Sequence, residues 1–529
     1  MISRREFLAH CIAAGAGIAS GRYAAGGLNC DKPVEQRVPK ASFVRVFPEA
    51  DNPLESAEDE SALAGLAKAM TASAEPPSAA SLYPGYTYFG QFIDHDLTWN
   101  DVAFDDPYEK QIAAQNFRSP FLDLDSVYGD GPPLKCQFEG PAGAESFVIG
   151  LTAASPALGL KGGQPCDVPF ENGNRPIIGD RLDLRNAENL ILRQLHVVFL
   201  KCHNQVIAQL PQHSKDPDLP QEGNLFDRAR RLVTWTYQWL IWHDFLERIR
   251  ATGTRRSPKR LDEVPNTVYR LPLEFVLAGF RFGHSMVQGE YALNCHHAFS
   301  PKRNPAPLSR LINGSKETAE RLTEEYAIEW GRFFPGLGTR PTRASKIDTH
   351  INPGLAALPA GTLLTFSKAS RGLENPNLAY RTLLRGARAR LASGQQVATS
   401  LKEKDKMIRD ISDDLKKDEA LQKAGLTGNT PLWFYMLKEA EVTECGDALG
   451  KVGTHIVEDA LEGALQYDRD SFLVRKGSDW KPPEWILPKE RADIASLIKF
   501  AQADGPIRRL RVAPRIARGI EAQRNQFHY

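Results

Sequence analysis

Residues 86–97 combine an amide, a carboxylate and an imidazole at the spacing of a helix. Gln91, Asp94 and His95 are related by i, i+3 and i+4, so they would share one face of that helix. Neighbouring Phe and Ile side chains would pack around this face. Burying three polar groups within one turn is costly unless they serve a purpose, so the segment is a candidate for acid–base chemistry. The alternative is the exposed polar end of an ordinary helix.

A second segment places a guanidinium near a carboxylate and an amide. Arg185, Glu188 and Asn189 repeat the same spacing, and the pattern predicts a helix that continues through His196 and His203. An Arg–Glu pair on a solvated helix face would have the same spacing. The two histidines are interpreted as packed structural residues.

The third segment, residues 275–288, is largely apolar and carries His284. If the segment is helical, Phe280, His284 and Gln288 lie on one face, and Gly283 would let a flat cofactor approach the backbone closely. A lone histidine on an apolar helix is more often a satisfied core residue than a ligand. Taken alone, the segment is therefore ambiguous.

The elements that must position these residues are predicted to be mainly helical. Helical periodicity dominates residues 86–475, and few segments alternate with period two. The clearest helix runs from about Leu225 to Ile249, with Asn224 as its N-cap. The sequence thus predicts a mainly α fold with few short strands.

The N-terminus has the features of a twin-arginine export signal. Arg4 and Arg5 precede Phe7, Leu8 and a run of small residues that is too short to span a bilayer. The segment predicts export to the periplasm or the extracellular space, the alternative being a disordered basic tail. No later segment is predicted to cross a membrane. We expect a signal segment, an N-terminal arm, one catalytic domain and a C-terminal extension, at residues 1–28, 29–85, 86–480 and 481–529.

The composition argues against several classes of function. The chain has 529 residues, 42% hydrophobic and 25% charged, with a formal net charge of +1, so nothing in its charge suggests a nucleic-acid partner. Its seven cysteines are scattered without a CxxC pair, which argues against zinc or thioredoxin-type chemistry. The sequence also lacks HExxH, a Walker A loop and a dinucleotide-binding fingerprint in a suitable context.

Together, in this order and spacing, the three segments resemble those of the animal haem peroxidases of the peroxidase–cyclooxygenase superfamily. The resemblance covers residues 83–473. It implies a single large helical domain around a buried haem b, with His284 as the ligand below the iron and His95 as the acid–base residue above it. It also implies that Arg185 stabilises the charge that develops as the O–O bond breaks, and that Gln91 positions the peroxide.

The same resemblance extends to residues 119–129, which match the family's calcium loop. The implied ligands are oxygens from Asp96, Ser119, the Phe121 carbonyl, Asp123 and Asp125. Hard oxygen ligands of this kind suit Ca²⁺. Because Asp96 follows His95 directly, the ion would fix the end of that helix. The alternative is a plain acidic turn.

Other residues are implied by the resemblance to contact the haem. Asp94 and Glu188 match carboxylates that form ester bonds to haem methyl groups in mammalian members, so covalent attachment is implied. Arg281 and Arg385 are implied to neutralise haem propionates, the alternative being surface salt bridges. Thr382 stands where the family commonly has an asparagine bonded to the proximal histidine, a role that threonine could fill more weakly or a water could take over.

The expected function is that of a peroxidase, which reduces hydrogen peroxide and oxidises a small donor. Asn189 stands where one branch of the family has a methionine that links to a haem vinyl group, so this link should be absent here. Its absence favours bromide, iodide, thiocyanate or phenols over chloride as donors. Two alternatives stay open. A fatty-acid dioxygenase of the same superfamily would have a radical-forming tyrosine three residues before His284, where this chain has Arg281. A haem-binding or adhesion module would need only His284.

Overall fold

The computed structural model describes most of the chain, and the structural statements below refer to residues 40–72, 79–100, 102–129, 138–139, 146–156, 160–171, 175–176, 189–254, 256–262, 267–294, 306–312, 321–358 and 375–501. Arg185, Glu188, the predicted signal segment 1–28 and the last part of the C-terminal extension lie outside the described residues.

The described part of the chain is mainly helical, which confirms the predicted fold class. The α-helices of nine residues or more are Ala57–Met70, Pro84–Leu97, Leu190–Gln209, Leu225–Leu240, Leu378–Arg388, Gly394–Lys402, Leu432–Thr443 and Lys451–Gln466. The shorter ones are Tyr108–Ala113, Asp125–Tyr128, Leu246–Ile249, Leu273–Leu277, Leu308–Leu311, Ser412–Lys417, Glu419–Ala424, Phe472–Arg475 and Ile494–Phe500. Tighter 3₁₀ turns lie at Leu210–His213, Gly279–His284, Glu324–Tyr326, Trp330–Arg332 and Pro353–Leu355.

The strands are short and form only local antiparallel pairs in the described residues. Each strand has two residues. The pairs are Ala41–Ser42 with Gln115–Asn116, Phe138–Glu139 with Ser146–Phe147, Phe170–Glu171 with Arg175–Pro176, and Glu290–Tyr291 with Ala306–Pro307. The first pair ties the N-terminal arm to the segment that follows Ala114.

The helix Pro84–Leu97, here called the His95 helix, runs through the hydrophobic core. It begins with a proline at its first position, where the missing N–H costs nothing. Phe92 stacks on Phe199 of the helix Leu190–Gln209, with ring centroids 4.8 Å apart. On another side, its Cα atoms come within 8 Å of the 3₁₀ turn Gly279–His284, here called the His284 turn. Within the core, the His95 helix therefore contacts the other two segments that were predicted to carry site residues.

The long helix predicted at residues 225–249 begins as expected and is interrupted near its end. Asn224 caps it, because its side chain accepts a hydrogen bond from the amide of Asp227 while Asp227 bonds back to the amide of Asn224. The regular helix stops at Leu240, and a π turn, Ile241–Phe245, precedes a last α turn. Within that π turn, Asp244 accepts hydrogen bonds from the Tyr86 hydroxyl and the amide of Ile494.

The prediction of one continuous helix over residues 275–288 is wrong. The helix Leu273–Leu277 ends at Ala278, whose backbone lies outside the helical region, and the chain continues as the His284 turn. Just after the break the backbone is closely packed, because a Cβ at Gly279 would lie 2.6 Å from Cγ2 of Ile456. His284 is the last residue of this turn rather than the middle of a helix.

The prediction that Asn189 lies inside a helix with Arg185 is also wrong. Asn189 has an extended backbone, and its side chain accepts hydrogen bonds from the amides of Ile191 (2.8 Å) and Leu192 (3.3 Å). It is therefore the N-cap of the helix that follows, a position that asparagine strongly favours.

No helix in the described part of the chain is both long and apolar enough to cross a bilayer. The described cysteines Cys166, Cys202 and Cys445 are free thiols, and the other four lie outside the described residues.

Candidate active site

The His95 helix brings the three predicted polar residues together at its C-terminal end. The His95 side chain is buried, whereas Gln91 and Asp94 are half-buried. The hydroxyl of Thr98 donates to the backbone carbonyl of Asp94 (2.9 Å) and to its carboxylate (3.3 Å). The spacing predicted from the sequence is therefore realised in an unbroken helix, and the carboxylate of Asp94 is held at its end.

His284 is half-buried, and its imidazole is held in the neutral form. Burial lowers the pKa of His284 to about 3, and the nearby Arg281 guanidinium acts in the same direction. The ring stands edge-on to Trp433, with centroids 6.0 Å apart, and the Trp433 indole donates to the carbonyl of Arg281 (3.1 Å). Its buried Nδ1 has no hydrogen-bond partner among the described residues. A neutral imidazole is the form that binds a metal, so this residue fits the predicted iron ligand.

Three carboxylates come together beside the end of the His95 helix. Asp96, Asp123 and Asp125 each offer an oxygen, and these atoms lie within 4.8 Å of one another. Asp96 also accepts hydrogen bonds from the amides of Leu124 (3.1 Å) and Ser126 (3.4 Å). The structure thus joins the predicted loop to the residue that follows His95.

The charges in this cluster are unevenly balanced. Arg118 (2.8 Å) and Lys40 (2.9 Å) both pair with Asp125, and they lower its pKa although burial acts to raise it. Burial and then the neighbouring Asp125 raise the pKa of Asp123 to about 6. Burial, followed by Asp123 and Asp125, raises the pKa of Asp96 well above its usual range. Crowded carboxylates of this kind fit a divalent cation, which would favour their charged forms.

The other two implied calcium ligands shape the turn. The amide of Ser119 donates to Asp125 (3.2 Å), and the Ser119 hydroxyl accepts from the amide of Phe121 (3.3 Å). Both residues therefore lie in the loop that carries the acidic cluster.

Arg281 and Arg385 have different surroundings. Arg385 is buried, and its guanidinium donates to Val102 O (2.7 Å), Asn100 (3.0 Å) and Gln111 (3.3 Å). It thereby anchors the segment after the His95 helix. The Nε of Arg281 donates to the carbonyl of Val276 (2.7 Å), next to the helix break.

Arg381 is a basic residue of this region that the sequence reasoning missed. Its guanidinium stands 4.7 Å from the ring centre of Phe104. Burial, and then the positive charge of Arg281, lower its pKa to about 10. Two guanidinium groups that repel each other in a half-buried place fit an anionic partner such as a carboxylate. The available signal was its position four residues before Arg385 on one helix face.

Known proteins share parts of this sequence and this architecture. The animal haem peroxidase family model matches residues 102–359, a range that includes the acidic loop and His284 but begins after the His95 helix. Peroxidase A from Dictyostelium discoideum has the same fold, with a TM-score of 0.55, 15% identity and 93% of both chains covered. A fatty acid alpha-dioxygenase from Oryza sativa is equally similar, with a TM-score of 0.57 and 14% identity over 95% of this chain and 89% of its own.

Curated relatives match over shorter ranges. Mouse eosinophil peroxidase is 28% identical over 176 residues, which are 32% of this chain and 23% of the relative. A peroxidase-like protein of Margaritifera margaritifera is 28% identical over 235 residues, 42% of this chain and 27% of its own length. The chain thus spans about a quarter of the length of these relatives.

The helical fold is the one seen in peroxidase A and in the fatty acid alpha-dioxygenase, and the family match supports the peroxidase–cyclooxygenase superfamily as the class of protein. The family model over residues 102–359 and the curated relatives indicate an animal haem peroxidase domain in this part of the chain. That similarity implies haem as a cofactor, and the neutral imidazole of His284 and the Arg281–Arg381 pair fit that group.

Proposed function

We propose that the protein is a haem peroxidase that reduces hydrogen peroxide and oxidises a halide, a pseudohalide or a small phenolic donor. The observation that carries the proposal is the buried His95, which shares one unbroken helix with Gln91; that helix contacts the His284 turn. Binding haem requires only His284, so a module without turnover has no use for a second buried imidazole in this place.

Neutral His284 would hold the haem iron. The guanidinium groups of Arg281 and of Arg381 or Arg385 would meet the carboxylates of the haem. When bound, haem supplies the redox chemistry of O–O bond cleavage. The chain contributes the position of the reactants and the movement of protons.

His95 is the residue we propose for proton transfer. Its imidazole takes the proton from one oxygen of hydrogen peroxide and returns it to the oxygen that leaves as water. Gln91, one turn earlier on the same face, would orient the peroxide. Arg185, outside the described residues, would stabilise the negative charge that develops on the leaving oxygen.

The remaining implied residues would fix this arrangement. Asp94 and Glu188 are proposed as the sites of ester bonds to the haem. Ca²⁺ is proposed at Asp96, Asp123 and Asp125, with Ser119 and the Phe121 carbonyl completing the ligands. Since Asp96 is bonded to the loop and follows His95 directly, the ion would also fix the proton-transferring residue.

We further propose that the protein acts outside the cytoplasm. The proposal is supported by the twin-arginine pattern of residues 1–28. Its reactants would be hydrogen peroxide and a diffusible small donor, without a nucleic-acid partner.

A fatty-acid dioxygenase is the second candidate, because the Oryza sativa enzyme shares the fold as closely as the peroxidase does. A tyrosine-to-phenylalanine variant of that enzyme was solved with palmitic acid. In this chain, however, Arg281 stands three residues before His284, and arginine cannot form the phenoxyl radical that such an enzyme requires.

One experiment with two readouts separates the candidates. Haem-loaded protein is given hydrogen peroxide with guaiacol or bromide, and separately palmitic acid with O₂ and no peroxide. We expect peroxide-dependent oxidation of a donor and no O₂ uptake with palmitic acid. O₂ uptake without donor oxidation would instead identify a dioxygenase. Full haem incorporation with neither activity would indicate a binding module.

A further inference from the structure

The N-terminal arm contributes a cation to the acidic cluster beside the His95 helix. Nζ of Lys40 lies 2.9 Å from Oδ2 of Asp125. The Lys40 side chain is 29% exposed and the Asp125 side chain 3%, so the carboxylate of this ion pair is buried while its ammonium reaches solvent. The lysine can therefore exchange this contact for water, whereas the carboxylate cannot.

The backbone fixes the place of Lys40. Its amide donates to the carbonyl of Asn116 (2.9 Å). The buried side chain of Asn116 accepts from the amides of Trp99 (3.0 Å) and Arg118 (3.1 Å) and donates to the carbonyl of Leu97 (2.9 Å). One asparagine thus ties the arm, the acidic loop and the end of the His95 helix together, and the fold itself brings the ammonium of Lys40 to the cluster.

Both carboxylate oxygens of Asp125 are engaged by donors. Oδ1 accepts from Arg118 (2.8 Å), and Oδ2 accepts from Lys40 (2.9 Å) and from the amide of Ser119 (3.2 Å). Arg118 is as deeply buried as Asp125, so its charge is a fixed part of the loop. A divalent cation that binds Oδ2 must therefore replace the ammonium of Lys40 or share the oxygen with it.

The cluster needs positive charge around it. The oxygens of its three carboxylates lie within 4.8 Å of one another, and like charges this close repel unless cations or protons offset them. Burial and then the charge of Asp96 raise the pKa of the Tyr237 hydroxyl, which has no hydrogen-bond partner of good geometry among the described residues. A buried oxygen therefore faces the cluster in addition to the three carboxylates, and a cation there would have a further acceptor.

We propose that Lys40 is an internal counter-cation that competes with Ca²⁺ for Asp125. When calcium is scarce, its ammonium offsets the negative charge of the acidic loop and holds the N-terminal arm against it. When Ca²⁺ binds, the ammonium moves from Asp125 to solvent, so Lys40 sets the calcium concentration at which the site fills. This inference rests on the proposed function in one respect, namely that Ca²⁺ binds at Asp96, Asp123 and Asp125.

The test is a calcium titration of the full-length, haem-loaded protein. Bound calcium is first removed with a chelator, the Kd for Ca²⁺ is measured by isothermal titration calorimetry, and the melting temperature is measured with the chelator present.

Lys40→Met removes the charge and keeps an unbranched side chain. We expect its Kd for Ca²⁺ to be about tenfold lower than that of the wild type, because a positive charge close to the ion is lost. We expect its melting temperature in chelator to be lower as well, because the acidic cluster then lacks one of its counter-cations. Tighter calcium binding together with a less stable calcium-free state is the pair of effects that competition predicts.

Two controls separate the charge of Lys40 from other effects. Lys40→Arg keeps the charge and should bind Ca²⁺ as the wild type does. Lys423→Met removes the same charge from an exposed pair with Glu419 (3.0 Å) and should change neither quantity. An unchanged Kd in Lys40→Met would overturn the inference. If that variant does not fold without calcium, Lys40→Gln, whose amide can still donate to Asp125, takes its place, and an unchanged Kd there overturns the inference equally.

Calcium binding by the wild type separates this inference from the proposed calcium site. If the wild type and Lys40→Met bind Ca²⁺ with the same Kd, the site stands and only the role of Lys40 is wrong. If neither protein binds Ca²⁺, the proposed calcium site is wrong and the inference falls with it. Binding by Lys40→Met alone would support the inference in its strongest form, since the lysine would then exclude the ion.

Discussion

The two sides of the candidate site are held by different means. On the His95 side, an unbroken helix ends at a loop whose amides bond the buried carboxylate of Asp96. On the His284 side, the helix breaks at Ala278, and two buried polar atoms, on His284 and Thr382, have no partner among the described residues. Hydrogen bonds to Asp96 thus fix the end of the helix that carries the proposed proton-transferring residue, whereas the proposed iron ligand ends a 3₁₀ turn beside the ring of Trp433. The predictions below test this contrast.

The largest effect is expected from His95→Ala. If His95 moves the proton of peroxide, its loss should lower kcat/KM for peroxide by about 10²–10⁴-fold, while haem stays bound through His284. Steady-state kinetics and the haem absorption spectrum measure both quantities.

His213→Ala is the control for this substitution. His213 stacks on Trp485, with ring centroids 4.8 Å apart, and belongs to neither side of the site. Its replacement should leave kcat/KM within about twofold, as expected for a position away from the chemistry. Equal losses in both variants would show that His95 acts through stability alone.

Asp96→Ala should have the next largest effect, this time on stability. It removes the acceptor for the amides of Leu124 and Ser126, and each buried donor left unsatisfied costs about 1–3 kcal/mol. We expect a loss of about 2–5 kcal/mol in the free energy of unfolding, measured by urea denaturation with Ca²⁺ present. Asp96→Asn retains an acceptor oxygen and should lose less.

Removing calcium checks the role of the same cluster. A chelator should lower the melting temperature of the wild type, because an ion bound only to the folded state stabilises it. Asp96→Ala should show a much smaller shift. If chelator and added Ca²⁺ leave the wild type unchanged, the acidic turn holds no calcium.

A pH-dependent effect of middle size is expected on the His284 side. Glu439, on the same helix as Trp433, accepts from the amides of Val452 (3.0 Å) and Gly453 (3.3 Å), and burial raises its pKa from 4.5 to about 7. Glu439 holds its proton more tightly in the folded state than in the unfolded state. Its protonation therefore adds fully to the free energy of unfolding below the unfolded pKa, and this contribution is lost as pH rises towards 7. The loss is on the order of 3 kcal/mol.

Glu439→Gln isolates this contribution. The amide still accepts from the two backbone donors but does not titrate, so the free energy of unfolding should fall less between pH 4.5 and pH 7 than in the wild type. Parallel curves for the two proteins would mean that Glu439 keeps an ordinary pKa in the fold.

The sequence predicted the His95 side better than the His284 side, and the reason is physical. Gln91, Asp94 and His95 are close in sequence, so helical spacing alone places them on one face. Beside the break before His284, Ile456, from far along the chain, packs against the backbone at Gly279. Periodicity within residues 275–288 contains no information about that contact.

One further error has a local cause, and one residue was missed for a tertiary reason. The spacing of Arg185 and Glu188 was extended to Asn189, although the preference of asparagine for the N-cap was a local signal against it. Arg381 was not named from the sequence, because its position near Arg281 depends on contacts between distant segments. The prediction for Arg385, which also bonds Asn100 and Gln111, stays a prediction.

The smallest effect is expected from Asn189→Ala, and it tests whether a cap near the site also matters for catalysis. Loss of a helix N-cap costs about 1 kcal/mol, and Asn224→Ala, at the N-cap of the helix Leu225–Leu240, should cost a similar amount. Asn189 directly follows Glu188, so its loss should also disturb the segment that carries Arg185 and raise KM for peroxide, whereas Asn224→Ala should change stability alone. If the two variants lose equal stability and keep the same KM, the start of the helix Leu190–Gln209 does not position the proposed catalytic arginine. The arrangement on the His95 side would then depend on the His95 helix and the acidic loop.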